Sequence, residues 1–77
     1  MTHVQDFELR GEHITLDALL KACGLAGSGG AAKGLIVAGE VRVNGQAETR
    51  RGRKLRAGDE VALGTAQVRI QPPRAPS

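Results

Sequence analysis

Apolar residues recur with a helical period in two short stretches of the first half of the chain. In residues 14–24, ITLDALLKACG, four apolar residues fall at i, i+3, i+4 and i+7: Leu16, Leu19, Leu20 and Cys23. This spacing predicts a helix with one buried face, which Thr15 can cap at its N-terminus and Gly24 can end. Asp17 in the first turn also suits the helix dipole.

The second helical stretch is SGGAAKGLIVAG, residues 28–39, and only GLAG separates it from the first, which predicts a tight two-helix corner. Ser28 is a typical N-cap residue and Gly39 a typical stop. The predicted apolar stripe contains Ala31, Ala32, Leu35, Ile36 and Ala38. Glycines at positions 29, 30 and 34 each cost about 1 kcal/mol relative to alanine. We therefore expect either close backbone packing or close approach of a ligand at these glycines.

Beyond the second helix the apolar period changes from 3.6 to 2, which is typical of strands. Asn44-Gly45 is a strong signal for a hairpin turn, and a Gly-Asp turn is predicted at 58–59. Strands are predicted on both sides of the hairpin turn, in DEVAL, in AQVRIQ and, from a weaker alternation, at about 5–9. The side chains expected to face the core are Phe7, Leu9, Val41, Val43, Val61, Leu63, Val68 and Ile70.

The order of elements, a short strand, two helices and four short strands, indicates an α+β domain. We expect a two-helix corner packed on a small, mostly antiparallel sheet of about four to five strands. Residues 1–71 are assigned to this single domain. Residues 72–77, which include Pro72 and Pro73, are expected to form a flexible C-terminal tail.

Charge is divided unevenly along the 77 residues. Residues 1–40 carry a net charge of −2, whereas residues 41–77 have eight basic and three acidic residues, a net charge of +5. A domain with one basic half has the electrostatic pattern of a protein that binds a polyanion.

A single cysteine excludes an intramolecular disulfide, no apolar stretch is long enough to span a bilayer, and the N-terminus lacks the pattern of a signal peptide. A cytoplasmic location without membrane contact is therefore expected.

The residue types of a catalytic or metal site do not occur in a suitable arrangement. His3 and His13 have no cysteine or carboxylate pattern around them, and Cys23 lies on the apolar helix face without a histidine partner. The glycine-rich segment 24–34 lacks the order of a phosphate-binding loop, because Lys33 is followed by glycine and no strand directly precedes the segment. We therefore expect no enzymatic activity, no metal, no cofactor and no small-molecule substrate.

Basic residues concentrate directly behind the Asn-Gly turn, in ETRRGRK. On composition alone a solvated connection explains such a run equally well. Its position favours a binding surface, because Arg42 projects from the outer face of the preceding strand and Lys33 lies on the helix that leads into it, near a helix N-terminus that favours phosphate. The candidate contact residues are Lys33, Arg42, Arg50, Arg51, Arg53 and Lys54. Their expected structural supports are Ser28 at the helix cap and Asn44 and Gly45 in the hairpin turn.

Residues 14–45 resemble the S4 RNA-binding domain, also called the alpha-L motif. The family pattern, L-D-x-L-L, a glycine, a serine that opens the second helix and A-x-x-x-I-x-x-G-x-V-x-V-N-G, is matched by Leu16, Asp17, Leu19, Leu20, Gly24, Ser28, Ala32, Ile36, Gly39, Val41, Val43, Asn44 and Gly45. AGDEVAL at 57–63 fits the closing turn and strand of the family. The resemblance implies a non-catalytic, stand-alone bacterial domain that binds structured RNA, such as ribosomal or transfer RNA, with the ribosome or its precursors as partner.

Two departures from the family pattern affect the expected site. Family members commonly have a basic residue before L-D and another directly after the helix-opening serine, where this chain has Thr15 and Gly29. Lys33 is the best remaining helical cation. We therefore expect the RNA contact to be shifted toward the hairpin and the loop that follows it.

Two other classes of protein fit the sequence less well. A DNA-binding helix-turn-helix protein needs several polar side chains on its recognition helix, whereas residues 28–38 offer Ser28 and Lys33. The segments VNGQ and GDEVAL resemble parts of β-grasp protein-interaction modules. Such modules act through a C-terminal Gly-Gly, however, and the two helices before the hairpin fit that fold poorly.

Phe7 is the only aromatic residue of the chain, which argues against base stacking of single strands and favours folded RNA.

Overall fold

The computed structural model describes residues 3–73, which form two helices and seven short strands. In chain order the elements are β1 (His3–Glu8), β2 (Ile14–Thr15), α1 (Leu16–Ala22), α2 (Gly29–Val37), β3 (Val41–Val43), β4 (Gln46–Ala47), β5 (Lys54–Leu55), β6 (Glu60–Leu63) and β7 (Ala66–Gln71). The α+β class predicted from the sequence is confirmed. The domain boundary at residue 71 stays a prediction, since most of the predicted tail, residues 74–77, lies outside the described residues.

Five strands form one sheet in the order β1-β7-β6-β3-β4. All neighbours are antiparallel except β1 and β7, which run parallel with His3 opposite Ala66 and Glu8 opposite Gln71. The other two strands, β2 and β5, form a separate antiparallel pair, in which Ile14 lies opposite Leu55 and Thr15 opposite Lys54. The β2–β5 pair joins the start of α1 to the segment that follows the hairpin, a connection that the sequence pattern did not predict.

The core lies between the two helices and one face of the sheet. Its fully buried members come from every layer: Leu16, Leu19, Leu20, Ala32, Ile36, Val41, Leu55, Val61, Val68 and Ile70. In β3, Val41 and Val43 are buried while Arg42 is exposed, as the alternation predicts. The first strand begins two residues earlier than expected and ends at Glu8, and Phe7 is only half-buried against the core.

The helix ends follow the predicted signals with one exception. The Ser28 hydroxyl accepts a hydrogen bond from the Ala31 N–H at 3.1 Å, which confirms Ser28 as an N-cap. Gly24 and Gly39 have φ values of +75° and +76°, the left-handed conformation in which glycine ends helices. Thr15 occupies the N-cap position of α1, but its side chain makes no capping hydrogen bond. Other groups therefore satisfy the first N–H groups of that helix.

The apolar stripe of α2 is narrower than predicted. Ala32 and Ile36 are buried and Leu35 is half-buried, but Ala31 and Ala38 are exposed. At about 100° of rotation per residue, these two alanines lie roughly 100° to 120° around the helix from Ala32, at the margin of the contact with the core. A helix of nine residues buries only its central i, i+4 pair and the flanking leucine.

Packing does not explain the glycines inside α2. A Cβ added at Gly29 or Gly34 would have no neighbouring heavy atom within 4 Å, and at Gly30 it would meet only the Ser28 hydroxyl oxygen at 4.0 Å. Close backbone packing, one of the two explanations considered for these glycines, is therefore absent. The other explanation, close approach of a ligand, stays a prediction.

Replacing Gly34 by alanine is expected to stabilise the protein by about 0.5–1 kcal/mol, because the new methyl group enters open space and the unfolded chain loses freedom. Gly39→Ala is the contrasting variant, since its φ of +76° disfavours a side chain and the change should destabilise by about 1–2 kcal/mol. Urea unfolding of both variants measures the difference. A destabilised Gly34→Ala would contradict the open environment of this helix face.

Candidate nucleic-acid interface

The hairpin turn between β3 and β4 has the predicted conformation and a further role. Asn44 and Gly45 have φ values of +53° and +84°, as a tight two-residue hairpin turn requires. The Asn44 side chain also donates to Asp59 Oδ1 at 3.1 Å and accepts from the Glu60 N–H at 2.9 Å. The hairpin turn is thereby fastened to the turn before β6. Hairpin signals in the sequence gave no indication of this second function of Asn44.

Directly after β4, the buried residue Glu48 collects the side chains of two arginines. Glu48 Oε2 lies 3.1 Å from Arg50 Nε and 3.2 Å from the Arg50 backbone nitrogen, while Oε1 lies 3.2 Å from Arg50 Nη2 and 2.9 Å from Arg53 Nη1. Each carboxylate oxygen therefore accepts two hydrogen bonds. We call Glu48, Arg50 and Arg53 the Glu48 cluster.

The Glu48 cluster lies in a loop that also caps α1. The Leu16 N–H donates to the Arg53 carbonyl at 2.9 Å, and the Asp17 N–H donates to the Arg51 carbonyl at 3.1 Å. A turn closed by the Arg53 N–H and the Arg50 carbonyl, at 3.2 Å, shapes the loop between them. Because the first N–H groups of a helix have no partner within the helix, these loop carbonyls supply the cap that the Thr15 side chain does not.

Two carboxyl groups of this region are held in their charged form. Hydrogen bonds from Arg50 and then Arg53 lower the pKa of Glu48 from 4.5 to about 2. The pKa of Asp17 is also lowered, first by a hydrogen bond from the Thr15 hydroxyl and further by the Ala18 N–H and the charge of Arg51. Both carboxylates are ionised at neutral pH, so part of the positive charge of the loop is offset within the fold.

The six candidate contact residues fall into two groups. Four are exposed and have no hydrogen bond or ion pair from their side chains within residues 3–73: Lys33, Arg42, Arg51 and Lys54. The other two belong to the Glu48 cluster, yet the Arg50 side chain remains 73% exposed and that of Arg53 35% exposed. Five of the six lie in the chain segment 42–54, from β3 through the hairpin to β5, and Lys33 lies on α2.

Glu48 is the residue that sequence reasoning missed. ETRRGRK was interpreted as a run of exposed cations, whereas its one acid is buried and organises the two arginines at positions +2 and +5. A glutamate followed by arginines at positions +2 and +5, directly behind a predicted hairpin, is the sequence signal that could have indicated this cluster. It could not be interpreted without the loop conformation that brings all three side chains together.

Possible metal ligands, helix length and the cysteine complete the description of residues 3–73. Within residues 3–73, no group of three His, Cys, Asp or Glu side chains is arranged to hold a metal ion. None of the described helices is both long and apolar enough to cross a membrane. Cys23 is half-buried beside the core, and burial raises the pKa of its thiol, which opposes a role as a thiolate nucleophile.

Comparison with known proteins agrees with the resemblance in the sequence. A family model for the S4 domain matches residues 7–71. The protein called probable ribosome maturation protein RlbA, from Bacillus subtilis (strain 168), is 46% identical over 60 residues. That alignment covers 74% of this chain and 84% of the relative.

Replacing Glu48 by glutamine should destabilise the protein at pH 7 by about 1.5–3 kcal/mol. The hydrogen bonds to a charged carboxylate are lost, and the NH2 group of the glutamine amide, which is a donor, would face the donors of the arginines. The folded-state pKa of about 2 lies below the ordinary value of 4.5, so the carboxylate contributes its full stability above pH 4.5 and loses it as the pH falls toward 2. Urea unfolding at several pH values should show the difference between wild type and variant shrinking over that range. A difference independent of pH would contradict this assignment.

Proposed function

Because the chain belongs to the S4 domain family, we propose that it is a non-catalytic protein that binds structured RNA through phosphate and shape contacts. The RNA is ribosomal or transfer RNA, and the partner is the ribosome or one of its precursors in the cytoplasm. The description of the relative RlbA as a probable ribosome maturation protein supports this setting.

The observation that carries the proposal is the conformation of the loop 48–54. Two of its cations, Arg50 and Arg53, are held by Glu48, and its backbone is held by the carbonyl contacts with α1, so the loop is ordered before a ligand arrives. Preordered side chains bind with a smaller loss of conformational entropy than mobile ones. The guanidinium group of arginine can also pair with a phosphate through two parallel hydrogen bonds. A loop that only maintains solubility does not require this order.

The shortage of aromatic side chains favours folded RNA as the ligand. Proteins that bind single strands without sequence preference usually stack bases on exposed aromatic rings. Phe7 is the only aromatic residue of the chain, and it is half-buried against the core. Recognition through phosphates and groove shape needs no such ring.

The exposed surface of α2 gives less support to a DNA-reading helix. A recognition helix places several polar side chains against base edges. The Ser28 hydroxyl is already used as the helix cap, and apart from Lys33 the exposed positions of α2 are glycine, alanine or Val37. This surface suits close approach of a sugar-phosphate backbone better than sequence reading.

The test compares two variants that each lose two arginines and one lysine. In the first, Arg42, Arg51 and Lys54 are changed to glutamine, which leaves the Glu48 cluster intact. In the matched control, Arg10, Lys21 and Arg69 are changed, three exposed cations outside the candidate contact set. Binding to a ribosomal RNA stem-loop, to polyuridine and to a DNA duplex is measured over a salt series for both variants and wild type.

We expect wild type to bind the stem-loop most tightly and the first variant to lose about two to three units of the slope of log affinity against log salt, since each removed phosphate contact contributes about 0.7–0.9. The control variant should keep the slope and the preference of wild type. Equal losses in the two variants would show a non-specific charge effect. Equal, weak binding of wild type to all three nucleic acids would contradict the proposal.

A further inference from the structure

We infer that Glu48 is a positioning residue for RNA binding: the buried carboxylate holds Arg50 and Arg53 in the orientation in which they meet phosphate. This inference rests on the proposed function. It assigns a binding role to the one acidic side chain in the basic segment, where charge alone would assign none.

The contacts divide the Arg50 guanidinium into two edges. The edge formed by Nε and Nη2 faces the two oxygens of Glu48 at 3.1 and 3.2 Å. The guanidinium has five N–H donors in one plane, so the remaining edge, with Nη1, keeps donors for a second planar partner. The side chain is 73% exposed despite its contacts with Glu48. A phosphate can therefore bind the outer edge while the carboxylate holds the inner edge.

The same carboxylate also holds Arg53, whose side chain is less exposed than that of Arg50. Its Nη1 lies 2.9 Å from Glu48 Oε1, the shortest hydrogen bond of the cluster, and its side chain is 35% exposed. The Arg50 backbone N–H also donates to Glu48 Oε2, so the carboxylate orders the main chain as well as the side chains. Without it, an RNA ligand would have to order two long side chains itself, which lowers affinity.

Electrostatics and positioning predict opposite effects of removing this charge. Glu48→Gln raises the net charge of the protein by one, which on charge alone strengthens binding to any polyanion. If the carboxylate positions the arginines, the same change weakens binding to structured RNA. The sign of the effect therefore separates the two explanations.

Glu60→Gln is the matched control. Glu60 is also ion-paired with an arginine, with Oε1 3.6 Å from Arg69 Nε, and also accepts a side-chain hydrogen bond, from Gln67. The substitution changes net charge by the same amount, but Glu60 and Arg69 lie on β6 and β7, outside the candidate contact set. Any difference between the two variants is then due to the place of the carboxylate and not to the charge.

We expect Glu48→Gln to weaken binding to the ribosomal RNA stem-loop on the order of tenfold, with polyuridine binding unchanged or slightly tighter. Glu60→Gln should bind both RNAs as wild type does or slightly more tightly. Urea unfolding identifies the conditions in which each variant is folded. Stem-loop binding by Glu48→Gln equal to or tighter than that of Glu60→Gln would overturn the inference.

Arg50→Lys keeps the charge and leaves Glu48 in place, but it removes the planar fork. If the glutamine variant does not fold, the lysine variant decides: a severalfold loss of stem-loop affinity with the salt slope kept supports the inference, and wild-type affinity overturns it. If wild type itself shows no preference for the stem-loop, the proposed function fails. Failure of the inference and failure of the proposed function are therefore distinguishable.

Discussion

The paired carboxylate of Glu48 is the interaction on which the conformation of the loop behind the hairpin depends. An ionised carboxylate away from water is costly unless charged and hydrogen-bonding partners surround it, and here two arginines and a backbone N–H do so. Once the loop is closed around this group, its carbonyls meet the first N–H groups of α1. One loop thus holds both the ion cluster, with Arg50 and Arg53, and the carbonyls that cap the start of α1.

A second polar connection fixes the other side of the same region. Asn44 joins the hairpin turn to Asp59 and to the Glu60 N–H, so side-chain hydrogen bonds connect the hairpin to the turn before β6. A domain of this size buries a limited hydrophobic core, and polar connections between its loops therefore contribute a large share of its order. Stability and presentation of the cations are consequently difficult to change separately in this region.

The sequence predicted what is determined locally. The apolar spacing of α1, the Ser28 cap, the Asn44-Gly45 turn and the alternation around Arg42 each depend on a few neighbouring residues, and all were confirmed. What could not be predicted depends on residues distant along the chain: the β2–β5 pair, the capping of α1 by the loop carbonyls and the parallel neighbour of β1. The burial of Glu48 belongs to the same group. A charged residue in a basic run is ordinarily exposed, and only the path of the loop removes it from water.

Because β1 pairs in parallel with β7, completion of the sheet is expected to be a late step in folding. During synthesis β1 emerges before any other described element, yet its only neighbour in the sheet follows about 60 residues later. Contacts so distant in sequence close slowly, whereas the two-helix corner and the hairpin can form from nearby residues as they appear. The two-helix corner and the hairpin can therefore form in a newly made chain while β1 still lacks its place in the sheet. The elements that carry Lys33 and Arg42 would then form before the sheet is complete.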